Sequence, residues 1–225
     1  MSIIERQNPS PSPLGKAPNG GGPARPIVAF DFDGTLTTHD SFMSFLRWRG
    51  GFGHLVSLVR LIPATLAYLR HRDRGRLKAA AVRVCLKGVP RVRLEREAGE
   101  FAARFAPRLL RPDALTAWRR YRTAGARLVI VTASPEILVA PFARGLGADL
   151  LIGTRLAFDS QDRVQGAFDG ENCRGPEKVR RLQEAFGPDV RVEAAYGDTA
   201  GDREMLAMAE QGFMKVFTAR PSGGG

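Results

Sequence analysis

The run Ile27-Val28-Ala29-Phe30 passes without a break into Asp31-Phe32-Asp33-Gly34-Thr35, and few folds can accommodate that junction. Four consecutive apolar residues suit a strand covered on both faces, as in a parallel sheet. Two carboxylates two residues apart at its end are costly unless they are paired or bound to something. Two further apolar runs end in the same way. Leu128-Val129-Ile130-Val131 meets Thr132-Ala133-Ser134-Pro135, and the weaker Val190 to Tyr196 run meets Gly197-Asp198-Thr199-Ala200-Gly201-Asp202. Open α/β sheets gather their chemistry at the carboxyl ends of strands, so the three junctions are expected along one edge.

Helical patterns follow the second and third runs. Pro135 to Leu146 is expected as a helix with Ser134 at the N-cap and Pro135 at the first helical position. Asp202 to Glu210 reads as another, and Glu177 to Phe186 as a third, with Val179, Leu182 and Phe186 on one face. Leu156 to Phe168 carries a turn at Asp159-Ser160-Gln161-Asp162 and reads as a hairpin, and the last strand is expected over Gly212 to Phe217. Between the first two strands lies an insert, residues 41–120, of helical character, with breaks expected at Gly50-Gly51, Gly75 and Val89-Pro90. The expected division is a flexible arm over 1–25, a core domain made of 26–40 and 121–220, and a helical cap domain over 41–120. The arm is rich in Pro, Gly, Ser and Asn and lacks the apolar stretch of a secretory signal.

Charge is distributed unevenly. The net charge is +11, and residues 41–94 alone hold twelve Lys/Arg against the single acid Asp73, so the rest of the chain is balanced. Such a segment attracts an anionic membrane surface, an anionic substrate or nucleic acid. Nucleic acid is disfavoured because the segment has no stacked-aromatic pattern and no known module. Codon bias is the blander cause, since the chain uses 29 Arg and five Lys. Cys85 and Cys173 have no Cys-x-x-Cys spacing, do not suggest a disulfide framework or a zinc site, and fit a reducing compartment.

The junction residues point to a definite chemistry. A hard divalent cation would neutralise Asp31 and Asp33, one of which can then attack phosphorus while the other shuttles a proton. Gly34 permits the tight turn that brings backbone N–H groups toward a phosphate. Thr132 and Ala133, just before a helix N-terminus, form a ready anion site. Lys178 lies near another helix start, where a cation opposes the helix dipole, so a role as a point charge on phosphate is favoured over a surface position. Asp198 and Asp202 supply the acids a magnesium site still needs. Magnesium takes only one or two carboxylates directly, which favours Asp198 as ligand and leaves Asp202 to hold a water or orient Lys178.

In this order the motifs Asp31-x-Asp33-Gly34-Thr35, Thr132, Lys178 and Gly197-Asp198-x-x-x-Asp202 resemble those of the haloacid dehalogenase (HAD) superfamily phosphatases, over essentially residues 27–217. The resemblance implies an α/β fold, a Rossmann-like core with a parallel sheet flanked by helices, and a mostly α-helical cap inserted after the first strand. It implies an aspartyl-phosphate intermediate and Mg2+ as cofactor. Carried over by motif, Asp31 is nucleophile and metal ligand, and Asp33 is the acid/base that ligates magnesium through its carbonyl. Thr132, Ala133 and Lys178 bind phosphate, Asp198 binds metal, and Asp202 and Gly34 support the site. The acid at Asp33 argues against dehalogenation.

The position of the cap resembles subfamily IB, which includes phosphoserine phosphatases. Those carry a glutamate for the substrate amine where this chain has Asp40, nine residues after Asp31. Asp40-Ser41-Phe42-x-Ser44-Phe45-Leu46-Arg47, the Thr132 motif and Cys173-Arg174-Gly175-Pro176-Glu177-Lys178 resemble the bacterial phosphatidylglycerophosphatase C and CicA-like branch. Phe52 to Leu69 is an apolar stretch broken by His54, Arg60 and Pro63 and followed by a basic run to Lys78. A central arginine disfavours a spanning helix and suits an interfacial one, each basic residue adding about 1 kcal/mol at an anionic leaflet. The expected function is hydrolysis of a phosphomonoester, with a lipid phosphate such as phosphatidylglycerophosphate as substrate and a cytoplasmic location with peripheral contact at the inner membrane face. The alternatives are a cytosolic phosphatase for a small metabolite such as phosphoserine, or a membrane- or nucleic-acid-binding regulator with a vestigial site.

Overall fold

In a computed structural model, residues 25–50 and 74–221 are described. The first strand, β1 (Ile27–Phe30), is buried along its whole length because it runs down the middle of a parallel sheet. The chain continues through β2 (Arg127–Pro135), β3 (Leu150–Thr154), the hairpin strands β4 (Leu156–Phe158) and β5 (Val164–Phe168), then β6 (Val192–Gly197) and β7 (Ala209–Met214). Five strands pair in the order β3-β2-β1-β6-β7, all parallel, while β4 and β5 form a separate antiparallel pair. Phe30 is in register with Ile130 on one side and Tyr196 on the other. The segments after β1, β2 and β6 therefore emerge side by side at one edge.

Alternation along the strands separates two cores, with one irregularity on β6, where a register shift between Val192 and Ala194 turns these two residues to opposite sides. Val28, Phe30, Leu128, Ile130, Ala194 and Tyr196 face one apolar cluster, while Ile27, Ala29, Val129, Val131, Val192 and Ala195 face the other. The first cluster is the larger. It takes in the insert helices α1 (Ser41–Gly50), α2 (Arg74–Cys85) and α3 (Arg91–Leu109), together with α4 (Pro112–Thr123) and α5 (Glu136–Leu146). The spacing of Leu94, Ala98, Phe101 and Ala102 puts one stripe of α3 inward. Phe101 and Phe142 on α5 lie 6.1 Å apart, and Phe142 meets Phe32 at 5.3 Å, so insert and sheet share one aromatic seam. The second cluster is covered by α6 (Pro176–Phe186) and α7 (Arg203–Met208), through Leu182 and Met205.

Several expectations need correction. The helix expected to start at Pro135 starts at Glu136, because β2 extends to Pro135 and pairs it with Thr154. Ser134 is not its N-cap; its hydroxyl is engaged elsewhere, as described below. At the expected break at Gly75, α2 begins at Arg74, and the residues before it lie outside the described ones. The final strand is Ala209–Met214, not Gly212 to Phe217, because pairing with β6 begins at Val192 with Ala209, directly after α7 ends. The short strand β3 had not been anticipated. The apolar stretch Phe52 to Leu69, residues 70–73 of the basic run after it and the arm over 1–24 lie outside the described residues. Among the described residues no helix is long and apolar enough to cross a membrane.

Candidate active site

Asp31 continues the ladder of β1: its N–H donates to the Tyr196 carbonyl at 2.9 Å, fixing the backbone before the chain turns. Residues 32–36 then wind tightly, closed by the Thr37 N–H on the Phe32 carbonyl at 2.9 Å. Gly34 takes φ +85, and a Cβ there would collide with the Asp198 carboxylate, so the turn demands glycine on both counts. This turn brings Asp33 round toward the end of β2.

The four predicted aspartates line one cleft, together with Asp40, Thr132, Ala133 and Lys178. Oxygens of Asp31, Asp198 and Asp202 lie within 4.8 Å of one another. Lys178 sits on the inward face of α6 with Arg181 and Leu182. It is 1% exposed, and its Nζ donates to Asp31 Oδ1 at 2.6 Å, Asp202 Oδ1 at 2.7 Å and the Val131 carbonyl at 2.6 Å. Asp202 Oδ2 accepts from the N–H groups of Asp198 and Thr199 at 3.2 and 2.9 Å, and from the Thr199 hydroxyl at 3.0 Å. Thr132 is buried, and its hydroxyl accepts from the Ser134 N–H at 3.1 Å. The Ala133 carbonyl accepts from the Thr154 hydroxyl at 3.0 Å.

The Asp33 side chain belongs to a different set of contacts. It accepts from the Ser41 N–H at 2.7 Å, from the Ser134 hydroxyl and from Lys78 Nζ at 3.2 Å. Lys78 comes from α2 and also reaches Ser134 Oγ at 2.9 Å and Asp40 Oδ2 at 3.2 Å. Asp40 Oδ1 accepts from the Met43 N–H at 2.9 Å, an N-cap contact on α1. Asp40 is therefore engaged by a helix start and by a cation of the chain itself.

The two acids at the end of β1 are tuned in opposite directions. Burial pushes Asp31 up to about 7; Lys178 opposes this, while Asp202 and Asp33 add to it. Burial would raise Asp33 as well, but Lys78 and the hydrogen bonds from Ser134 and Ser41 outweigh it and hold that carboxyl below its ordinary value. Asp40 is raised by burial and by the charge on Asp33. Lys178 is raised, because Asp31 and Asp202 outweigh its own desolvation. Titratable pairs whose environments push their pKa values apart mark acid/base sites. The oxygen donors of Asp31 and Asp198 fit a hard divalent cation, and a carboxyl as reluctant to ionise as Asp31 is relieved by one.

Sequence reasoning gives no site role to Lys78, Ser134, Asn172 or Arg174, although all four line the cleft or touch Asp33. Lys78 was absorbed into the basic run. Its signal was the one that marked Lys178: a lysine in a chain that otherwise uses arginine.

The family model for haloacid dehalogenase-like hydrolases matches residues 28–207. Protein CicA of Caulobacter vibrioides is 58% identical over 196 residues, covering 87% of this chain and 88% of that protein. A phosphoserine phosphatase of Halobacterium salinarum is 30% identical over 191 residues, covering 81% and 82%. A solved phosphoserine phosphatase described as a phospho-aspartyl intermediate analogue shares the fold, with a TM-score of 0.57 at 20% identity over 84% of this chain and 85% of that one.

Proposed function

Because this chain belongs to the haloacid dehalogenase-like hydrolases, we propose that it is a magnesium-dependent phosphomonoester hydrolase that works through a phosphorylated Asp31. The observation that carries this reading is the division of labour between a buried and a partly buried acid of one cleft. Asp31 has one oxygen fixed by Lys178, and Asp33 is held beside it by Lys78 and Ser134.

In the proposed reaction an oxygen of Asp31 attacks the phosphorus in line with the departing alcohol. Lys178 holds Asp31 in place and, with Thr132 and Ala133, receives the phosphate. Asp33 protonates the leaving oxygen, then takes a proton from the water that hydrolyses the acyl-phosphate. Substrate competes for Lys78, and the phosphate charge beside Asp33 raises its pKa, so the acid acquires its proton when it is needed. Bound magnesium, held by Asp31, Asp198 and the Asp33 carbonyl, supplies the positive charge that lets an anionic phosphate approach carboxylates.

Asp40 and Lys78 bear on the substrate. An amino-acid ammonium would have to displace a lysine already paired with Asp40 at 3.2 Å, which favours an alcohol without an amine over phosphoserine. With the basic insert, this supports a lipid phosphate such as phosphatidylglycerophosphate, met by a cap over 41–120 in peripheral contact with the membrane. A regulator with a vestigial site is disfavoured, since all four aspartates line one cleft.

The test is a panel of phosphomonoesters, lipid phosphates included, assayed with and without magnesium on the intact chain and on Asp31→Asn. Magnesium-dependent turnover abolished in Asp31→Asn, with an unchanged circular dichroism spectrum, is expected. Substantial activity in Asp31→Asn would defeat the covalent route, and inactivity on phosphatidylglycerophosphate with indifference to anionic vesicles would defeat the lipid reading.

A further inference from the structure

Among the described residues three cations line the cleft, and two of them are engaged by acids: Lys178 by Asp31 and Asp202, and Lys78 by Asp33 and Asp40. The third, Arg174, is different. It is partly buried, and among the described residues its guanidinium has neither a carboxylate nor a carbonyl partner. A guanidinium with five donors held in a fixed fork is suited to carboxylate or phosphate.

Its position is set by the backbone around it. The Gly175 N–H donates to the Gly201 carbonyl at 2.8 Å, tying the loop before α6 to the loop after β6. The Cys173 N–H donates to the Thr154 hydroxyl at 3.0 Å, and Asn172 Oδ1 lies 2.9 Å from that hydroxyl. The side chain of Arg174 then lies across Gly201: a Cβ at 201 would meet its guanidinium at 2.5–2.7 Å and its Cγ at 2.8 Å. The missing side chain at 201 makes room for the arginine at the wall of the cleft. A cation placed in advance, with no carboxylate on it among the described residues, is ready to bind ligand, since little ordering remains to be done on binding.

We infer that Arg174 is a specificity residue whose guanidinium receives a second anionic group, a carboxylate or a phosphodiester, carried by the alcohol portion of the phosphomonoester. The inference rests on the hydrolase reading above. It narrows the substrate class to alcohols that already bear a negative charge, and so to reactions whose dephosphorylated product is still an anion.

The test compares 3-phosphoglycerate with glycerol 3-phosphate, which differ by a carboxylate in place of a hydroxymethyl group. Phosphatidylglycerophosphate in detergent micelles is the phosphodiester-bearing arm. In the unaltered chain kcat/KM is expected to favour at least one anion-bearing substrate over glycerol 3-phosphate by about tenfold or more, the usual worth of a charge-assisted hydrogen-bond pair. Which arm carries the preference identifies the anion as carboxylate or lipid phosphodiester. Arg174→Gln should reduce the ratio to about one, chiefly through KM, and Arg174→Lys should retain part of it. Gly201→Ala should lower the ratio in the unaltered chain and leave it unchanged in the Arg174→Gln background. Equal losses on all three substrates in Arg174→Gln, or no preference in the unaltered chain, would overturn the assignment while leaving the hydrolase reading intact. No turnover of these substrates or of p-nitrophenyl phosphate, with magnesium present, would overturn both.

Discussion

Replacing Lys178 by methionine keeps the length of the side chain and deletes its charge, a clean perturbation of the buried centre. Lys178 Nζ is the donor to Asp31, Asp202 and the Val131 carbonyl, all at 2.6–2.7 Å. Removing one partner of a buried pair costs about 3–5 kcal/mol, because the remaining charge is left without compensation. Domains of this kind are stable by only about 5–15 kcal/mol, so the loss is a large fraction of the total. The cost should depend on pH. Asp31 already has its carboxyl raised to about 7 with Lys178 present, from an ordinary 3.8, and loss of the cation raises it further. A group whose folded pKa lies above its unfolded one contributes stability that fades as pH rises. The Lys178→Met penalty should accordingly be smaller at pH 6, where Asp31 escapes it by holding a proton, than at pH 8. In Lys178→Met the added change Asp31→Asn removes one of the stranded charges and should return about 2 kcal/mol or more. Urea unfolding of the metal-free protein, followed by circular dichroism at the two pH values, measures all of this. A Lys178→Met penalty below about 1 kcal/mol, or no recovery in the double variant, would refute the account of the site as a strained cluster of charges held by one lysine.

Three further outcomes are expected. Gly34→Ala, which places a Cβ against the Asp198 carboxylate at a backbone angle of φ +85, should destabilise the chain by about 1–3 kcal/mol and depress turnover; a melting curve unchanged from the parent contradicts it. Magnesium should raise the melting temperature more at pH 8 than at pH 6, since Asp31 must release a proton near 7 to serve as ligand; Asp198→Ala should abolish that shift, and a pH-independent shift counts against Asp31 as ligand. Lys78→Met removes the cation that helps hold Asp33 below its ordinary value, so the limb of the pH–rate profile governed by Asp33 should move to higher pH. An unmoved limb separates Lys78 from the acid.

The junctions were legible because each is local: an apolar run followed by acids or hydroxyls specifies a buried strand and a polar edge within seven residues. Asp31, Asp33, Thr132, Asp198 and Asp202 could be found in this way, Lys178 instead by its place at a helix start, and the fold then brought them to one cleft. Features that depend on contacts across the fold were not legible. Ser134 reads as an N-cap from its neighbours, yet its hydroxyl goes to Asp33, far away in the chain. Lys78 reads as one charge in a solvated run, and only the packing of α2 turns it inward to Asp33 and Asp40. The shift of β7 to Ala209–Met214 has a similar cause: Glu210 and Gln211 are poor strand formers in isolation, and register with β6 overrides that preference.

The carboxylate of Asp33 also holds the amide of Ser41, the first residue of α1, while gripping Lys78 of α2. The proposed acid is thus a rivet between the sheet and the two helices of the insert that flank its cleft. A protonated carboxyl holds an N–H and an ammonium less strongly than a carboxylate does, so protonation of Asp33 would weaken its hold on both helices. In the proposed reaction the proton that frees the alcohol is therefore coupled to how firmly α1 and α2 are held at the sheet's edge.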